Sequence, residues 1–218
     1  MTEPPISNIA VCIGTYGNEA IWGPLAQRAI NSVRRQTVRP AWCVHTHTTT
    51  LQEARNSAAR PTWPSSGLPS CFREAEWLCF LDADDELDPH YIEAMAVAVD
   101  ELEGDWLVQP ATLGVYPDGR EDPHPAVIPR KNLLDGNFMV ISTLIRASQF
   151  ERLGGFDDWP YCEDWDLWIR AWRDGAQFIA APDAILRVHV NPNSRNNGDR
   201  TTQIRVYHEI RSKHLGQR

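Results

Sequence analysis

Five acidic residues follow directly after an apolar run near the middle of the chain. The run Trp77 to Leu81 has the length and the aromatic and aliphatic content of a buried strand, and it is followed by Asp82, Asp84, Asp85, Glu86 and Asp88. Alternate residues after such a strand project to the same side, so we expect Asp82 and Asp84 to share one side. In open α/β sheets ligands bind beyond the carboxyl ends of the strands. The repulsion between these carboxylates would be offset by a cationic substrate group or, most simply, by a divalent metal ion.

The remaining acids of this stretch have a plainer interpretation. Glu86 and Asp88 are typical of a solvated turn that leads into a helix, whose first turn favours negative charge. We therefore assign no ligand role to these two side chains.

Strand-like and helix-like segments alternate along the first half of the chain. Apolar runs predict strands at 8–13 and 41–46, and helical periodicity predicts helices at 24–36, with Pro24 in the first turn, and at 51–59. A proline-rich loop is expected at 60–70. The alternation predicts an α/β fold with a mostly parallel central sheet flanked by helices, Rossmann-like in its N-terminal half.

The second half contains another acidic centre. We expect a helix from Pro89 to Leu102, then an extended segment at 106–116, a loop at 117–131 and a strand at 138–145. A short helix ending at Gly154-Gly155 and a turn at 156–161 lead to an amphipathic helix at 162–174, whose first turn carries Glu163 and Asp164. Asp166 is expected to pair with Arg170. Short strands at 177–181 and 184–190, a mobile segment at 191–199 and a final helix complete the pattern.

Composition limits the class of protein. A chain of 218 residues with a net charge of −8 and a pI near 5.3 is expected to be one domain, 1–218, without a broad basic surface for nucleic acid or membrane. We find no signal peptide or membrane span in the sequence and expect a soluble, cytoplasmic protein. The cysteines are odd in number and mostly lie in apolar runs, so we expect reduced core thiols at Cys12, Cys43, Cys71, Cys79 and Cys162.

Four segments taken together resemble the family 2 glycosyltransferases over about residues 8 to 190. They are Gly14-Thr15-Tyr16, Glu53-Ala54-Arg55-Asn56, Phe80-Leu81-Asp82-Ala83-Asp84-Asp85, and Leu153-Gly154-Gly155-Phe156-Asp157 followed by Glu163-Asp164-Trp165-Asp166-Leu167-Trp168. A lone Asp-x-Asp arises often by chance, but this order and spacing is specific. The resemblance implies a GT-A fold, a nucleotide-sugar donor and inverting transfer to an acceptor hydroxyl.

The resemblance also implies roles for individual residues. Mn²⁺ or Mg²⁺ would be held by Asp82, Asp84 and His189, with Asp85 as a neighbouring candidate, and Asp164 would be the general base. The donor would be bound by Thr15, Tyr16, Glu19, Arg55, Asn56, Asp82 and Ala83. Acceptor-side candidates are Trp159, Tyr161 and Glu163. The donor-binding half would span about 8–110, the acceptor and catalytic half about 111–200, and the C-terminal helix about 201–214.

One segment departs from the family pattern. Where the family often has an acidic turn that binds the nucleotide base, this chain has His45-Thr46-His47-Thr48-Thr49-Thr50. The identity of the base and of the donor sugar therefore stays open, as does the acceptor, which could be a glycan, a lipid-linked sugar, a protein or a modified base.

Other interpretations remain beside this one. Glu163 and Asp164 could simply cap a helix, Arg55 could be a surface charge and His189 could be structural. The chain could be a binding module without turnover, which metal-dependent donor binding without hydrolysis or transfer would indicate. Asp82-Ala83-Asp84 also resembles the motif of phosphatases with an aspartyl nucleophile, but those have Thr or Val where this chain has Glu86.

Overall fold

The chain folds into a mixed α/β structure with a central, mostly parallel sheet flanked by helices. The computed structural model describes residues 5–60, 75–128, 132–191 and 199–216. Its strands are β1 Ile9–Tyr16, β2 Trp42–Thr48, β3 Trp77–Asp82, β4 Glu86–Leu87, β5 Trp106–Val115, β6 Glu121–His124, β7 Ile145–Arg146 and β8 Gln177–His189. Its helices are α1 Glu19–Arg34, α2 Leu51–Ala59, α3 Tyr91–Val99, α4 Ala147–Arg152, α5 Glu163–Arg173 and α6 Arg200–Leu215, with a 3₁₀ turn at Leu133–Asp135.

The first sheet places side by side the strand ends that carry the candidate site residues. Its strand order is β2-β1-β3-β7, in which β1 is parallel to both β2 and β3, and β7 is antiparallel to β3. The register pairs Gly14 with Thr46 on one side and with Asp82 on the other. The carboxyl ends of β1, β2 and β3 therefore lie at one edge, where α/β folds bind ligands.

Both faces of this sheet are covered, which explains the continuous apolar runs of β1 and β3. One face, with Ala10, Cys12, Leu78 and Phe80, packs in a core that includes residues of α2, α4, α5 and α6. The opposite face, with side chains such as Val11 and Leu81, packs against α1, α3 and the second sheet. α2, which carries Arg55, and α5, which carries Glu163 and Asp164, thus lie on the same face of the sheet.

The second sheet extends the fold with the order β4-β8-β5-β6. β5 and β8 are parallel along their length, and a register shift falls between Pro110 and Ala111. A bridge between Val108 and Leu144 joins β5 to the residue that precedes β7. The two short strands expected at 177–181 and 184–190 are therefore one strand with an irregularity in its pairing.

The strand expected at 138–145 is wrong except at its end, since only Ile145–Arg146 is a strand. The Gln109 side chain occupies the backbone groups that a neighbouring strand would have used. Its Nε2 donates to the Phe138 carbonyl at 3.0 Å, and its Oε1 accepts from the Val140 amide at 3.4 Å and from the Thr143 hydroxyl at 2.7 Å. A buried side chain thus replaces a strand as the hydrogen-bonding partner.

The loop expected at 117–131 contains a strand. A turn in which the Tyr116 amide donates to the Arg120 carbonyl at 3.0 Å reverses the chain, and β6 then pairs antiparallel with β5. Pro123 lies in β6, as an edge strand permits. Residues 129–131 of that prediction, 61–70 of the loop after α2 and 192–198 of the segment expected to be mobile lie outside the described residues.

Two helix starts and one cysteine also differ from expectation. α1 begins at Glu19 because the Asn18 side chain accepts from the Ala20 amide, which leaves Pro24 inside the helix rather than in its first turn. α3 begins at Tyr91 rather than at Pro89 and ends at Val99. Cys12 and Cys79 are buried and free as expected, Cys162 is half-buried, and Cys71 lies outside the described residues. Cys43 is exposed because β2 is an edge strand.

The buried carboxylate of Asp166 on α5 binds side chains of the final helix, α6. Asp166 accepts from Arg170 Nε at 2.7 Å, which confirms the expected pair, and also from Lys213 Nζ at 2.9 Å and His214 Nε2 at 2.8 Å. Burial raises the pKa of Asp166, but the hydrogen bond from His214 and the charge of Arg170 outweigh it and hold the pKa far below its ordinary value. The first turn of α5, with Glu163 and Asp164, lines the candidate site.

Candidate active site

Three carboxylates converge after β3. Ligand atoms of Asp82, Asp84 and Asp85 all lie within 4.8 Å of one another. The pKa of Asp85, which is only 7% exposed, is raised by burial and then by the charges of Asp82 and Asp84. Burial and the neighbouring Asp82 raise the pKa of Asp84 as well. Clustered carboxylate oxygens fit a hard divalent cation such as Mg²⁺ or Mn²⁺, whose charge would remove this repulsion.

Asp85 joins the cluster because the chain turns after β3. The Asp85 amide donates to the Asp82 carbonyl at 3.1 Å, which closes a turn. In an extended strand the side chains of Asp84 and Asp85 would point to opposite sides, but the turn brings them together. The Asp85 carboxylate accepts from the His189 amide at 2.9 Å, so it also ties β8 to this turn. Asp82 and Asp84 lie together as the sequence predicted, and their metal-binding role stays a prediction.

His189 lies beside the cluster but is engaged elsewhere. Its Nε2 lies 2.8 Å from Glu86 Oε2, and Glu86 also accepts from Arg35 at 3.0 Å. Glu86 is thus a paired residue of β4, and the expectation that it belongs to a solvated turn was wrong. His189 and Asp84 line a cavity of about 260 Å³ together with Arg28, whose guanidinium donates to the Asp84 carbonyl. Whether His189 ligates a metal stays a prediction.

Arg55 connects the acidic cluster to α5. It is 3% exposed, its Nη2 donates to Asp82 Oδ1, and its Nη1 donates to Glu163 Oε1 at 2.6 Å. A Cβ at Gly14 would lie 2.8 Å from Arg55 Cγ and 2.9 Å from its backbone nitrogen, so only glycine lets α2 pack this closely on β1. The interpretation of Arg55 as a surface charge is therefore wrong.

Asp164 faces the same cavity as Asp82. The cavity of about 300 Å³ is lined by both acids and by Arg55, Asn137 and Tyr161, among others. Asp164 Oδ2 accepts from Asn137 Nδ2 at 3.1 Å. Burial and then the charge of Glu163 raise the pKa of Asp164 to about 6, against the opposing effect of Arg55. Such a carboxylate is ionised at neutral pH and basic enough to accept a proton.

Glu163 and Asn56 have structural partners in place of the predicted ligands. Glu163 is 2% exposed and forms the ion pair with Arg55, a position that suits holding Arg55 better than contacting an acceptor. Asn56 donates to the Phe156 carbonyl at 2.9 Å and accepts from the Phe156 amide at 2.8 Å. It thereby fastens the Gly154-Gly155-Phe156 segment to α2. No local pattern of residues indicates either pairing.

The other donor-side candidates lie at or near the strand ends. The Thr15 hydroxyl contacts His45 and His47, and the half-buried Tyr16 ring stacks on Trp22 with centroids 6.2 Å apart. Glu19 is exposed at the start of α1. Ala83 is 2% exposed and its methyl group packs in the core, so only its backbone could contact a donor.

The acceptor-side aromatic residues precede α5. Tyr161 lines the cavity that holds Asp164. The Trp159 carbonyl accepts from Gln52, and its ring lies 5.5 Å from Lys213 Nζ. Both positions remain candidates for acceptor contact.

Sequence reasoning missed three polar residues of the site. Asn137 contacts Asp164, Arg28 contacts the backbone of Asp84, and Gln203 of α6 lines the cavity of Asp82 and Asp164. Arg28 and Gln203 are ordinary polar residues of helices, and their sequence context carries no signal. Asn137 follows Gly136 before an apolar run, which is only a weak sign of a turn.

Comparison with solved structures shows that this chain shares its fold with a known protein. No protein-family model and no curated protein matches the chain. Staphylococcus aureus TarS 1–349 in complex with UDP-GlcNAc matches with a TM-score of 0.61 and 12% identity, over 87% of this chain and 60% of TarS 1–349. The same fragment in complex with UDP matches with a TM-score of 0.58 and 14% identity, over 84% of this chain and 61% of that one.

Identities this low establish the architecture alone. The chain spans about three fifths of the TarS fragment, at 60% and 61% in these two comparisons. Among the helices of the described residues, none has the length and apolar character needed to cross a membrane. The fold that this chain shares is the α/β fold of TarS, whose structures contain UDP and UDP-GlcNAc.

Proposed function

We propose that this protein transfers a sugar from a nucleotide-sugar donor to an acceptor hydroxyl, with inversion at the anomeric carbon and with a divalent metal ion. The observation that carries the proposal is the shared cavity of Asp82 and Asp164, which Arg55 and Glu163 connect. A fold shared with TarS, which binds UDP and UDP-GlcNAc, supports a nucleotide-sugar donor.

The acidic cluster is assigned to the diphosphate end of the donor. Asp82, Asp84 and Asp85 would hold Mn²⁺ or Mg²⁺, and His189 is the candidate for a further ligand after release from Glu86. When bound, the cation neutralises charge on the departing nucleoside diphosphate. Without it, three acids would face a dianionic or trianionic group, which is strongly unfavourable.

Asp164 is assigned as the general base. Its carboxylate accepts the proton of the acceptor hydroxyl while that oxygen attacks the anomeric carbon, and Asn137 holds its Oδ2 in place. A single base and one in-line displacement invert the configuration. The attacking hydroxyl could belong to a glycan, a lipid-linked sugar, a protein or a modified base.

The proposal is tested by donor turnover and binding in parallel. Nucleoside diphosphate sugars with Mn²⁺ are assayed for hydrolysis and for transfer across an acceptor panel, with donor binding followed by calorimetry. Asp164→Asn should abolish transfer while sparing donor binding, and Asp84→Ala should weaken metal-supported donor binding. Unchanged donor affinity in the Asp84→Ala variant would contradict the assignment, and metal-dependent binding without any turnover would indicate a binding module.

A further inference from the structure

Arg28 of α1 approaches the acidic cluster from the face of the first sheet opposite to that of Arg55. α1 belongs to the core on one face, whereas α2 belongs to the core on the other. The Arg28 guanidinium donates from Nη2 to the Asp84 carbonyl, and its Nε is buried without a hydrogen-bond partner among the described residues. A guanidinium has five N–H donors in a planar fork. A cation with an unpaired donor therefore stands directly beside the proposed metal ligands.

Arg28 lines a cavity next to this cluster. The cavity has a volume of about 260 Å³, and Asp84 and His189 line it together with apolar side chains such as Leu25 and Val190. Hydrogen bonds from a charged donor are strong in such partly apolar surroundings, and a donor that is left unpaired there is unfavourable. An anionic group in this cavity would satisfy the guanidinium.

The balance of charge indicates which anion fits. In the proposed reaction the departing nucleoside diphosphate is dianionic or trianionic, and the acids of the cluster are also negative. One divalent cation does not offset all of these charges. Arg55 is engaged in its ion pairs with Asp82 and Glu163. Burial and then Asp82 raise the pKa of Asp84, and the charge of Arg28 acts in the opposite direction, so its field reaches the cluster. Arg28 is therefore placed to supply a further positive charge to the diphosphate.

We propose that Arg28 binds a phosphate oxygen of the metal-bound diphosphate and stabilises it as the leaving group. The inference rests on the proposed function, which supplies the diphosphate. As the acceptor oxygen bonds to the anomeric carbon and its proton passes to Asp164, the bond from that carbon to the diphosphate oxygen breaks and its electron pair stays on the diphosphate. A fixed guanidinium beside the oxygens that gain this charge lowers the barrier. Arg28 lies outside the four segments that carry the family resemblance.

Holding the turn after β3 is the other role that the contact with Asp84 allows. One N–H is enough for that contact, which leaves the buried Nε of Arg28 beside the cavity unexplained. The two roles predict opposite effects on metal binding. A residue that binds the anion repels the cation, so its removal leaves the affinity for Mn²⁺ unchanged or higher. A residue that only supports Asp84 helps the metal ligands, so its removal lowers that affinity.

The test measures metal binding and phosphate binding separately. Titration calorimetry on the full chain gives dissociation constants for Mn²⁺ alone, and then for pyrophosphate, UDP and GDP with Mn²⁺ in excess. Pyrophosphate removes any contribution from a base. The variants are Arg28→Met, which removes the charge, and Arg28→Lys, which keeps the charge but not the fork. The control is Arg34→Met, at an exposed position of the same helix, and thermal unfolding establishes that each variant is folded.

We expect Arg28→Met to weaken binding of pyrophosphate and of the preferred nucleotide by about tenfold to a hundredfold, the loss of about one charged hydrogen bond, with no loss of Mn²⁺ affinity. Arg28→Lys should bind with intermediate affinity, and Arg34→Met should bind as the wild type does.

Two outcomes would overturn the inference. The first is equal affinity for pyrophosphate in Arg28→Met and in the wild type. The second is a parallel loss of Mn²⁺ and pyrophosphate affinity, which would show that Arg28 only supports the turn that carries Asp84. Failure of the wild type to bind pyrophosphate or either nucleotide with Mn²⁺ would instead count against the proposed function.

Discussion

At the scale of single residues, Asp164 combines a raised pKa with access to a cavity. Since burial raises its pKa to about 6, the carboxylate is ionised above that pH and becomes protonated as the pH falls through it. A protonated base cannot accept the acceptor proton. We predict that the rate of sugar transfer falls about tenfold per pH unit below about pH 6, as measured by initial rates at saturating donor.

The matched control for this prediction is an acid outside the site. Asp164→Asn should reduce transfer by about 10²–10⁴-fold at pH 7 and should remove the acid limb of the pH profile. Asp118→Asn, at an exposed turn, should keep both the rate and the acid limb of the profile. A pH profile that stays flat between pH 5 and pH 7 would exclude Asp164 as the rate-determining base.

Arg55 is a second residue whose effect can be measured directly. Replacing it with Met leaves the Glu163 carboxylate buried without its cation, and we expect the free energy of unfolding to fall by about 3–5 kcal/mol in urea denaturation. Adding Glu163→Gln to Arg55→Met should recover part of that loss, because the buried charge is removed. Arg205→Met, which breaks the exposed pair with Glu209, should cost less than about 1 kcal/mol. Equal losses in the two single variants would contradict this account.

Whether a site residue was predicted from the sequence depends on how close in the chain its neighbours are. The nearness of Asp82 and Asp84 was predicted because it follows from strand periodicity, whereas Asp164 was predicted from the resemblance to the family 2 glycosyltransferases. Arg28, Asn137 and the Asn56 pairing were missed because their partners are distant in the chain; Asn56 and Phe156, for example, are 100 residues apart. Such contacts depend on tertiary packing, which single-residue patterns do not encode.

At the scale of elements, the turn before α5 is fixed by one glycine and one asparagine. Gly155 has a φ of +84°, and a Cβ there would clash with Asn56 Oδ1, which is held by the Phe156 amide. Moving Asn56 away would break that hydrogen bond. We therefore predict that Gly155→Ala lowers the free energy of unfolding by about 1–2 kcal/mol more than Gly119→Ala does.

Gly119 is a suitable comparison because an alanine there would strain the left-handed backbone without clashing with a neighbouring atom. Its φ is +85°, and a Cβ at Gly119 would meet no heavy atom within 4 Å. Chemical denaturation of both variants separates the cost of the left-handed backbone from the cost of the clash. Equal destabilisation would show that Asn56 yields without penalty, and would remove it as the anchor of this turn.

The elements themselves were predicted best where the apolar pattern of the sequence matches the period of the element that forms. β1, β2, β3, α2 and α5 follow from continuous apolar runs or from a clear helical period. The segment at 138–145 is equally apolar, but the Gln109 side chain binds the Phe138 carbonyl and the Val140 amide, and only the end of the segment is a strand. β6 was missed because Pro123 is compatible with a strand only at an edge, a property of the assembled sheet.

At the scale of the whole molecule, the acidic cluster opposes folding. The raised pKa values of Asp84 and Asp85 mean that the folded state binds protons more tightly there than the unfolded chain does. Their contribution to stability is therefore largest below the unfolded pKa of about 4 and is lost as the pH rises above it. At neutral pH the metal-free fold carries an unfavourable charge cluster that a bound cation would relieve.

This arrangement predicts opposite effects of one substitution with and without metal. Asp85→Asn should raise the melting temperature of the metal-free protein at pH 7, because a buried acid next to Asp82 and Asp84 is replaced by a neutral group, and should reduce the further rise produced by Mn²⁺. Asp100→Asn, an exposed residue at the end of α3, should change neither quantity. Differential scanning fluorimetry with a chelator and then with increasing Mn²⁺ measures both. A variant that melts lower without metal yet responds fully to Mn²⁺ would mean that Asp85 serves only to hold the β8 backbone at His189, and the metal site would then comprise Asp82 and Asp84 without it.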